Sequence, residues 1–158
     1  MIDFKQIKKL IIEPTLKKLN LGSIEFEQLL MHTLEAETNY GCFLKQKEGD
    51  CLGVFLMHPN LHSEIWHVFL PNRNDLMTIV SSVFNIYRVP DQNRLIYDLQ
   101  YATLMAALHY ARNESLVRNL SSMTQVKAHY KNFWNKPKRA EILPFVKIQP
   151  ISWTEPPL

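Results

Sequence analysis

The chain has 158 residues, of which 46% are hydrophobic and 21% are charged, and its formal net charge is +3. This length and composition fit one domain with a hydrophobic core and exclude a chain that is disordered throughout. The basic residues are scattered, no apolar run is long enough to span a membrane, and no signal-peptide cleavage site is evident, so we expect neither a nucleic-acid partner nor a membrane span.

The first third of the chain shows helical periodicity in its apolar residues. Their spacing predicts a first helix over residues 4–19, which Pro14 should kink and Gly22 should end. Ser23 is a favourable N-cap for a second helix. That helix should be well buried and should end near Thr38.

The periodicity is lost over residues 41–59, which contain three of the four glycines. We interpret this stretch as a long ordered loop with a short hairpin around residues 48–50, and such loops are often functional. Cys42 and Cys51 lie in it. A disulfide between them is possible, but two cysteines make no disulfide scaffold, so we favour two reduced, partly buried thiols.

Helical patterns then continue to the end of the domain. Further helices are predicted over residues 60–70, 75–87, 94–112 and 122–134. Evidence for strands is thin throughout, and the predicted fold class is therefore all-α. No internal repeat interrupts this order, so residues 1–136 are predicted to form a single helical domain.

The composition changes at Pro137. Residues 137–158 hold Pro144, Pro150, Pro156 and Pro157 among apolar residues and show no helical period. Proline blocks helix continuation and favours extended backbone, so this segment is predicted to be an extended C-terminal arm. Its apolar side chains would either pack back on the domain or dock on a partner.

Two short motifs carry the most specific signal in the chain. The first ends the second predicted helix and reads Glu37-Thr38-Asn39-Tyr40-Gly41. The second reads Gly-Val-Phe-Leu-Met-His-Pro at residues 53–59. The pair resembles soluble lytic transglycosylases and goose-type lysozymes, in which Glu-Ser ends a helix and Gly-Leu-Met-Gln-hydrophobic-Met-Pro follows some fifteen residues later.

A second resemblance is to phage-encoded lysozyme-like virion proteins. These carry an Ile-Trp pair and then a helix containing Tyr-Ala-Ala, which Ile65-Trp66 and residues 101–110 match here. The resemblance covers roughly residues 11–134, and the order and spacing of its motifs are more specific than any motif alone. It implies a lysozyme-like single domain.

The resemblance places Glu37 at the position of the catalytic acid. A glutamate at a helix end walled by apolar side chains can have its pKa raised enough to protonate a glycosidic oxygen. The resemblance also implies substrate-binding roles for Thr38, Phe55, Met57 and Tyr101. A transglycosylase needs one carboxylate, whereas a hydrolase that uses two would need a partner from the following loop, where Glu48 and Asp50 are the candidates.

Some residues depart from the family pattern. Leu56 replaces a glutamine that would hydrogen-bond substrate, Thr38 replaces the serine after the acid, and His58 replaces the residue before the proline. Leucine cannot form the hydrogen bonds of a glutamine and would narrow or dry the cleft. These changes indicate either a different glycan or a cleft that no longer turns over, so the sequence leaves enzymatic activity open.

Histidines and aromatic residues supply the remaining candidates. His58, His62 and His67 lack a third ligand at a fitting spacing, so solvated or capping roles are favoured over a metal site. Some aromatic residues could line a sugar-binding groove but are more often part of the core: Trp66, Tyr97, Tyr101 and Tyr110. Neither a nucleotide-binding glycine loop nor a nucleophile elbow is present, and we expect no cofactor.

The resemblance implies a bacteriophage virion component of the tail or baseplate region. It would be assembled in the host cytoplasm and would act at the bacterial cell wall, where its domain binds and locally cleaves peptidoglycan. Residues 137–158 would contact other virion proteins. The alternative is a catalytically inactive structural virion protein that uses the lysozyme fold as a scaffold and the arm for assembly, and a free endolysin is a weaker third hypothesis.

Overall fold

A computed structural model of the protein describes residues 1–134, and within them the chain is mostly helical. The α-helices are α1 Phe4–Ile7, α2 Glu13–Lys18, α3 Ile24–Thr38, α4 Pro59–Glu64, α5 Asn74–Ser82, α6 Arg94–Tyr97, α7 Leu99–Ala111, α8 Glu114–Arg118 and α9 Met123–Phe133. No strand forms in this part of the chain, which confirms the all-α class. The lysozyme-like assignment stays a prediction.

Helix α7 forms the centre of the core. Each of its residues from Tyr101 to Ala111 is buried, which requires neighbours on every side of the helix. Helices α2, α3, α6 and α8 all contact it. A helix that is apolar on all faces has no stable position at a protein surface, so its sequence accounts for this central place.

The N-terminal helical run contains the irregularity that Pro14 predicts. A π-helical turn, Lys8–Ile12, joins α1 to α2, and the Glu13 N–H donates to the Lys8 carbonyl five residues back. Proline has no N–H to donate to the carbonyl four residues before it. The wider turn therefore lies just before Pro14, and the helix continues through it to Lys18.

Helix α3 begins and ends where the sequence predicts. The Ser23 hydroxyl accepts a hydrogen bond from the Phe26 N–H at 3.4 Å, as an N-cap does. At the other end Asn39 adopts the left-handed conformation, with φ of 48°, and its N–H donates to the Glu35 carbonyl. Asparagine tolerates this conformation better than most residues, and it terminates the helix after Thr38.

Residues 41–57 are irregular but ordered by backbone pairing. Lys45 and Leu52 pair in antiparallel fashion, so the chain does turn back around residues 48–50. Leu52 and Met57 then exchange two backbone hydrogen bonds of 2.9 Å. Cys42 is exposed and Cys51 is buried, and both are free thiols, as favoured, although Cys42 is not the partly buried residue expected.

The later helices differ in their limits from the prediction. Helix α4 continues through a π-helical turn, Ile65–Phe69, and a 3₁₀ turn, Leu70–Asn72. Helix α5 ends at Ser82 rather than at residue 87. The predicted helix over residues 94–112 is broken at Asp98, whose extended backbone and carboxylate cap α7 at the Tyr101 N–H. Helix α8 was not predicted.

The last predicted helix is present as α9, capped by Ser122. The predicted extended arm, residues 137–158, lies outside the described residues, and so does the boundary of the two predicted regions at residues 136 and 137. No helix within residues 1–134 is long and apolar enough to cross a membrane.

Candidate functional site

Thr38 joins the two motifs that carry the sequence resemblance. Its hydroxyl donates to the Val54 carbonyl at 2.7 Å and accepts from the Gly41 N–H at 3.0 Å. Thr38 is 1% exposed, so these bonds are shielded from water. The end of α3 is therefore fixed against residues 53–57, which we call the 53–57 turn.

Backbone geometry shapes the 53–57 turn. The Leu56 N–H donates to the Gly53 carbonyl at 3.0 Å. Gly53 has φ of +78°, and a Cβ there would collide with the Leu95 carbonyl. Leu56 also lies in the left-handed region, with φ of 48°, which costs a residue with a side chain about 1 kcal/mol or more. This turn is thus held in one shape by its neighbours.

Glu37 is half-buried at the end of α3. Its Oε1 accepts a hydrogen bond of 2.7 Å from the Tyr130 hydroxyl of α9. The His32 ring meets the Tyr130 ring edge-on, with 5.1 Å between centroids. Burial raises the pKa of Tyr130, so the phenol keeps its proton and remains a donor to the carboxylate at neutral pH.

The four predicted substrate-binding residues lie in the interior. Thr38, Phe55, Met57 and Tyr101 are each 1% exposed. In this conformation their side chains do not line an open surface. They can therefore influence a ligand only indirectly, by positioning other residues that contact it. Leu56 is also buried, at 8% exposure. It packs inward, and this position offers no polar side chain of the kind that the glutamine of the family pattern would supply.

Tyr101 belongs to a buried hydrogen-bond network. Its hydroxyl accepts from the Trp66 indole N–H at 2.9 Å and lies 2.7 Å from His62 Nε2. Burial lowers the pKa of His62 to about 4, so His62 is neutral at pH 7 and shares a hydrogen bond with the Tyr101 hydroxyl. The motif containing Trp66 and the motif containing Tyr101 are therefore in direct contact.

A surface ion pair joins the same two motifs a second time. Arg112 follows α7, and its guanidinium donates to Glu64 Oε1 at 2.6 Å. Glu64 is the last residue of α4, directly before the Ile65-Trp66 pair. The resemblance thus selects segments that pack together in the tertiary structure.

The two candidate second carboxylates, Glu48 and Asp50, are exposed in the hairpin. Asp50 lines a surface cavity together with Lys45 and His58, and Glu37 is not part of that cavity.

The histidine cluster in the sequence separates in the structure. His58 Nδ1 accepts from the Asn60 N–H and caps α4, while His62 bonds Tyr101. His67 Nδ1 is buried without a hydrogen-bond partner among the described residues. Within residues 1–134 no three candidate ligands gather as a metal site would require.

Tyr130 contacts the candidate acid although no sequence motif indicates it. Helix α9 is held to the body by aromatic packing beside it: His109 stacks on Phe133 with 4.8 Å between ring centroids, and its Nε2 lies 3.3 Å from the Phe133 carbonyl. Burial lowers the pKa of His109 to about 3. The spacing of Tyr130 and Phe133 on one helix face predicts that α9 packs against the body, but it indicates no partner for the Tyr130 hydroxyl.

Comparisons of the chain with models of protein families, with curated proteins and with solved structures find no match. The resemblance to lysozyme-like proteins therefore stays a prediction from the sequence motifs.

Proposed function

We propose that the protein is a component of a bacteriophage virion, in the tail or baseplate region, whose lysozyme-like domain binds peptidoglycan and cleaves it locally. Glu37 is the proposed general acid. The observation that carries the proposal is the Thr38–Val54 hydrogen bond of 2.7 Å. It brings together two motifs, sixteen residues apart, whose combination is what resembles the lytic transglycosylases.

A single carboxylate is sufficient for the proposed reaction. Protonated Glu37 gives its proton to the oxygen of the scissile glycosidic bond, and that bond breaks. A hydroxyl of the same sugar then attacks the anomeric carbon and closes an anhydro ring, while Glu37 takes up the hydroxyl proton. Glu48 and Asp50 are exposed in the hairpin, and the proposed route uses neither of them as the second carboxylate that a two-carboxylate hydrolysis would need.

Substrate would have to exchange with an existing contact. Tyr130 occupies one oxygen of the Glu37 carboxylate, and both side chains are only half-buried. A hydrogen bond of this kind contributes on the order of 1 kcal/mol, which binding of a glycan can replace. Local movement of the Tyr130 side chain would then uncover the acid.

The experiment compares Glu37→Gln with Glu35→Gln. Glu35 lies on the same helix and is exposed, so its substitution removes one carboxylate without touching the Tyr130 contact. Purified wild-type protein should clear a murein zymogram, Glu35→Gln should retain this clearing, and Glu37→Gln should reduce it by about a hundredfold or more. Absence of clearing by the wild-type protein across pH and salt conditions would refute the enzymatic part of the proposal.

The inactive structural virion protein is the second candidate. It is favoured by the Tyr130 contact and by Leu56, which presents no polar group where the family pattern has glutamine. In that case residues 137–158 carry the function, because they anchor the domain on other virion proteins. Deleting the residues after Pro137 should then prevent incorporation into particles, and normal incorporation of the truncated chain would rule out this anchoring role.

A further inference from the structure

A polar cavity of about 570 Å³ opens beside the segment that follows α5. Residues 85–91 form one wall, and Arg94 and Tyr97 of α6 form the other. Sites for small ligands have volumes of roughly 300–1,000 Å³. None of the residues of the Glu37 site lines this cavity.

The walls of the cavity are held in place before any ligand arrives. The Ile86 N–H donates to the Val80 carbonyl at 3.2 Å, and the Asn93 N–H donates to Asp91 Oδ1 at 2.7 Å. Arg94 donates to Asp98 at 3.0 Å. Its guanidinium also lies over the Tyr101 ring at 4.8 Å, which fixes its plane. A preorganised wall reduces the entropy that binding must pay.

The lining combines an aromatic platform with hydrogen-bonding groups. The Tyr97 ring is 74% exposed, an unusual state for a large aromatic side chain. The polar side chains of Asn85, Arg88 and Asp91 also line the cavity and are exposed. An exposed ring together with such hydrogen-bonding groups suits a ligand that has an apolar face and hydroxyl groups at its edge, which is the chemistry of a pyranose.

The charges around the cavity disfavour a polyanion. Arg88 and Arg94 are balanced by Asp91 within the lining and by Asp98, which pairs with Arg94 at 3.0 Å. A site for phosphate or sulfate groups would present unpaired basic side chains. Mixed, balanced charge offers donors and acceptors to a neutral ligand.

A second polar cavity has a volume of about 480 Å³, and one of its lining residues is Gln92, which directly follows Asp91 of the first cavity. Its lining includes Gln92 and Asn93 on one side and Asn60 and His58 on the other. Leu52 and His58, which also line it, flank the 53–57 turn. Two polar cavities with consecutive lining residues fit a ligand made of repeated units better than a single small molecule.

We propose that the two cavities, whose linings include the consecutive residues Asp91 and Gln92, form one binding groove for a neutral oligosaccharide, with Tyr97 as the stacking platform. The groove is separate from Glu37, and it binds glycan whether or not Glu37 cleaves it. Only the choice of an N-acetylated amino sugar as ligand rests on the proposed function.

The test is an NMR titration of the ¹⁵N-labelled full chain with a trimer of N-acetylglucosamine, followed through the backbone amides. Shifts should map to residues 85–97 and to residues 58–60. Tyr97→Ala should raise the dissociation constant of the trimer about tenfold, and Arg88→Ala should raise it about fivefold. Both residues are exposed, so neither change should disturb the fold. Phe4→Ala is the matched control, because Phe4 is also an exposed aromatic, at 48%, away from the cavities.

The outcomes separate this inference from the proposed function. The groove is supported if Glu37→Gln binds the trimer with unchanged affinity and Tyr97→Ala binds it about tenfold more weakly. This result supports the groove even where no murein is cleaved. Absence of binding, shifts that map elsewhere, or equal affinity in Tyr97→Ala and Phe4→Ala would overturn it. Stronger, salt-sensitive binding of a heparin oligosaccharide at the same amides would also overturn it, since it would identify an anion site.

Discussion

Helices α7 and α9 each present a tyrosine hydroxyl to another segment, but in opposite surroundings. Tyr101 of α7 is 1% exposed and bonds two side chains of the interior, Trp66 and His62. Tyr130 of α9 is half-buried and bonds the half-buried carboxylate of Glu37. In α9 only Val126 is buried, whereas α7 is buried along most of its length.

The difference separates a contact that supports the fold from one that can exchange. A buried polar network has no water to replace a lost partner, so each of its bonds is costly to break. A half-buried hydrogen bond can be replaced by water or by a ligand at low cost. The resemblance assigned a substrate role to Tyr101, but its surroundings are those of a structural residue, and Tyr130 is the tyrosine that contacts the candidate acid.

Acidification tests the interior side of this comparison and should have the largest effect. Burial lowers the pKa of His62 to about 4 and that of His109 to about 3, from 6.5 in the unfolded chain. The unfolded state therefore binds more protons below pH 6.5, and the stability present above that value is lost as the pH falls towards the folded pKa values. Each of the two imidazoles should lower the free energy of unfolding by about 2 kcal/mol as the pH falls from 7 to 5.

Urea denaturation at a series of pH values measures this loss. His109→Gln should have a shallower pH dependence than the wild-type protein, because it removes one of the two buried imidazoles. An equal pH dependence in the wild-type protein, in His109→Gln and in His62→Gln would contradict the assignment to these two residues.

Tyr101→Phe should have the next largest effect. It removes the hydroxyl that accepts from Trp66 and bonds His62, so both buried rings lose this partner. The free energy of unfolding should fall by about 1–3 kcal/mol. Circular dichroism during urea denaturation measures the change, and a loss below about 0.5 kcal/mol would show that water enters the network.

Tyr130→Phe should have the smallest effect on stability. It removes a single half-buried hydrogen bond to Glu37, so the free energy of unfolding should fall by less than about 1 kcal/mol. The double variant with Glu37→Gln gives the coupling energy of the pair. If the free energy of unfolding falls as much as in Tyr101→Phe, the Tyr130 contact of α9 supports the fold as strongly as the Tyr101 network of α7.

The positions of most helices could be predicted because capping and periodicity are local properties. Ser23, Asn39 and Ser122 stand at helix ends where their side chains or backbones do what the sequence predicts. The break at Asp98 could not be predicted from periodicity, because the apolar pattern continues through it. The same pattern suits one long helix or two shorter ones, and the capping bond from Asp98 to Tyr101 decides between them.

The surroundings of the candidate site could not be predicted from the sequence. The two motifs meet where the Thr38 hydroxyl bonds Val54, a contact that motif spacing alone does not specify. The burial of Phe55 and Met57 could not be foreseen, because apolar residues in a glycine-containing loop can face a cleft or the core. Tyr130 is 93 residues from Glu37, and no local pattern signals a contact over such a separation.

The sequence by itself determined the helical class, the positions of most helices and the Ser23 cap, since these depend on residues close together in the chain. Only the tertiary structure decided which polar groups are buried and which are exposed. Burial depends on how α7 and α9 pack against elements far away in sequence. This packing encloses Tyr101 among His62 and Trp66 and leaves Tyr130 at the edge, on Glu37.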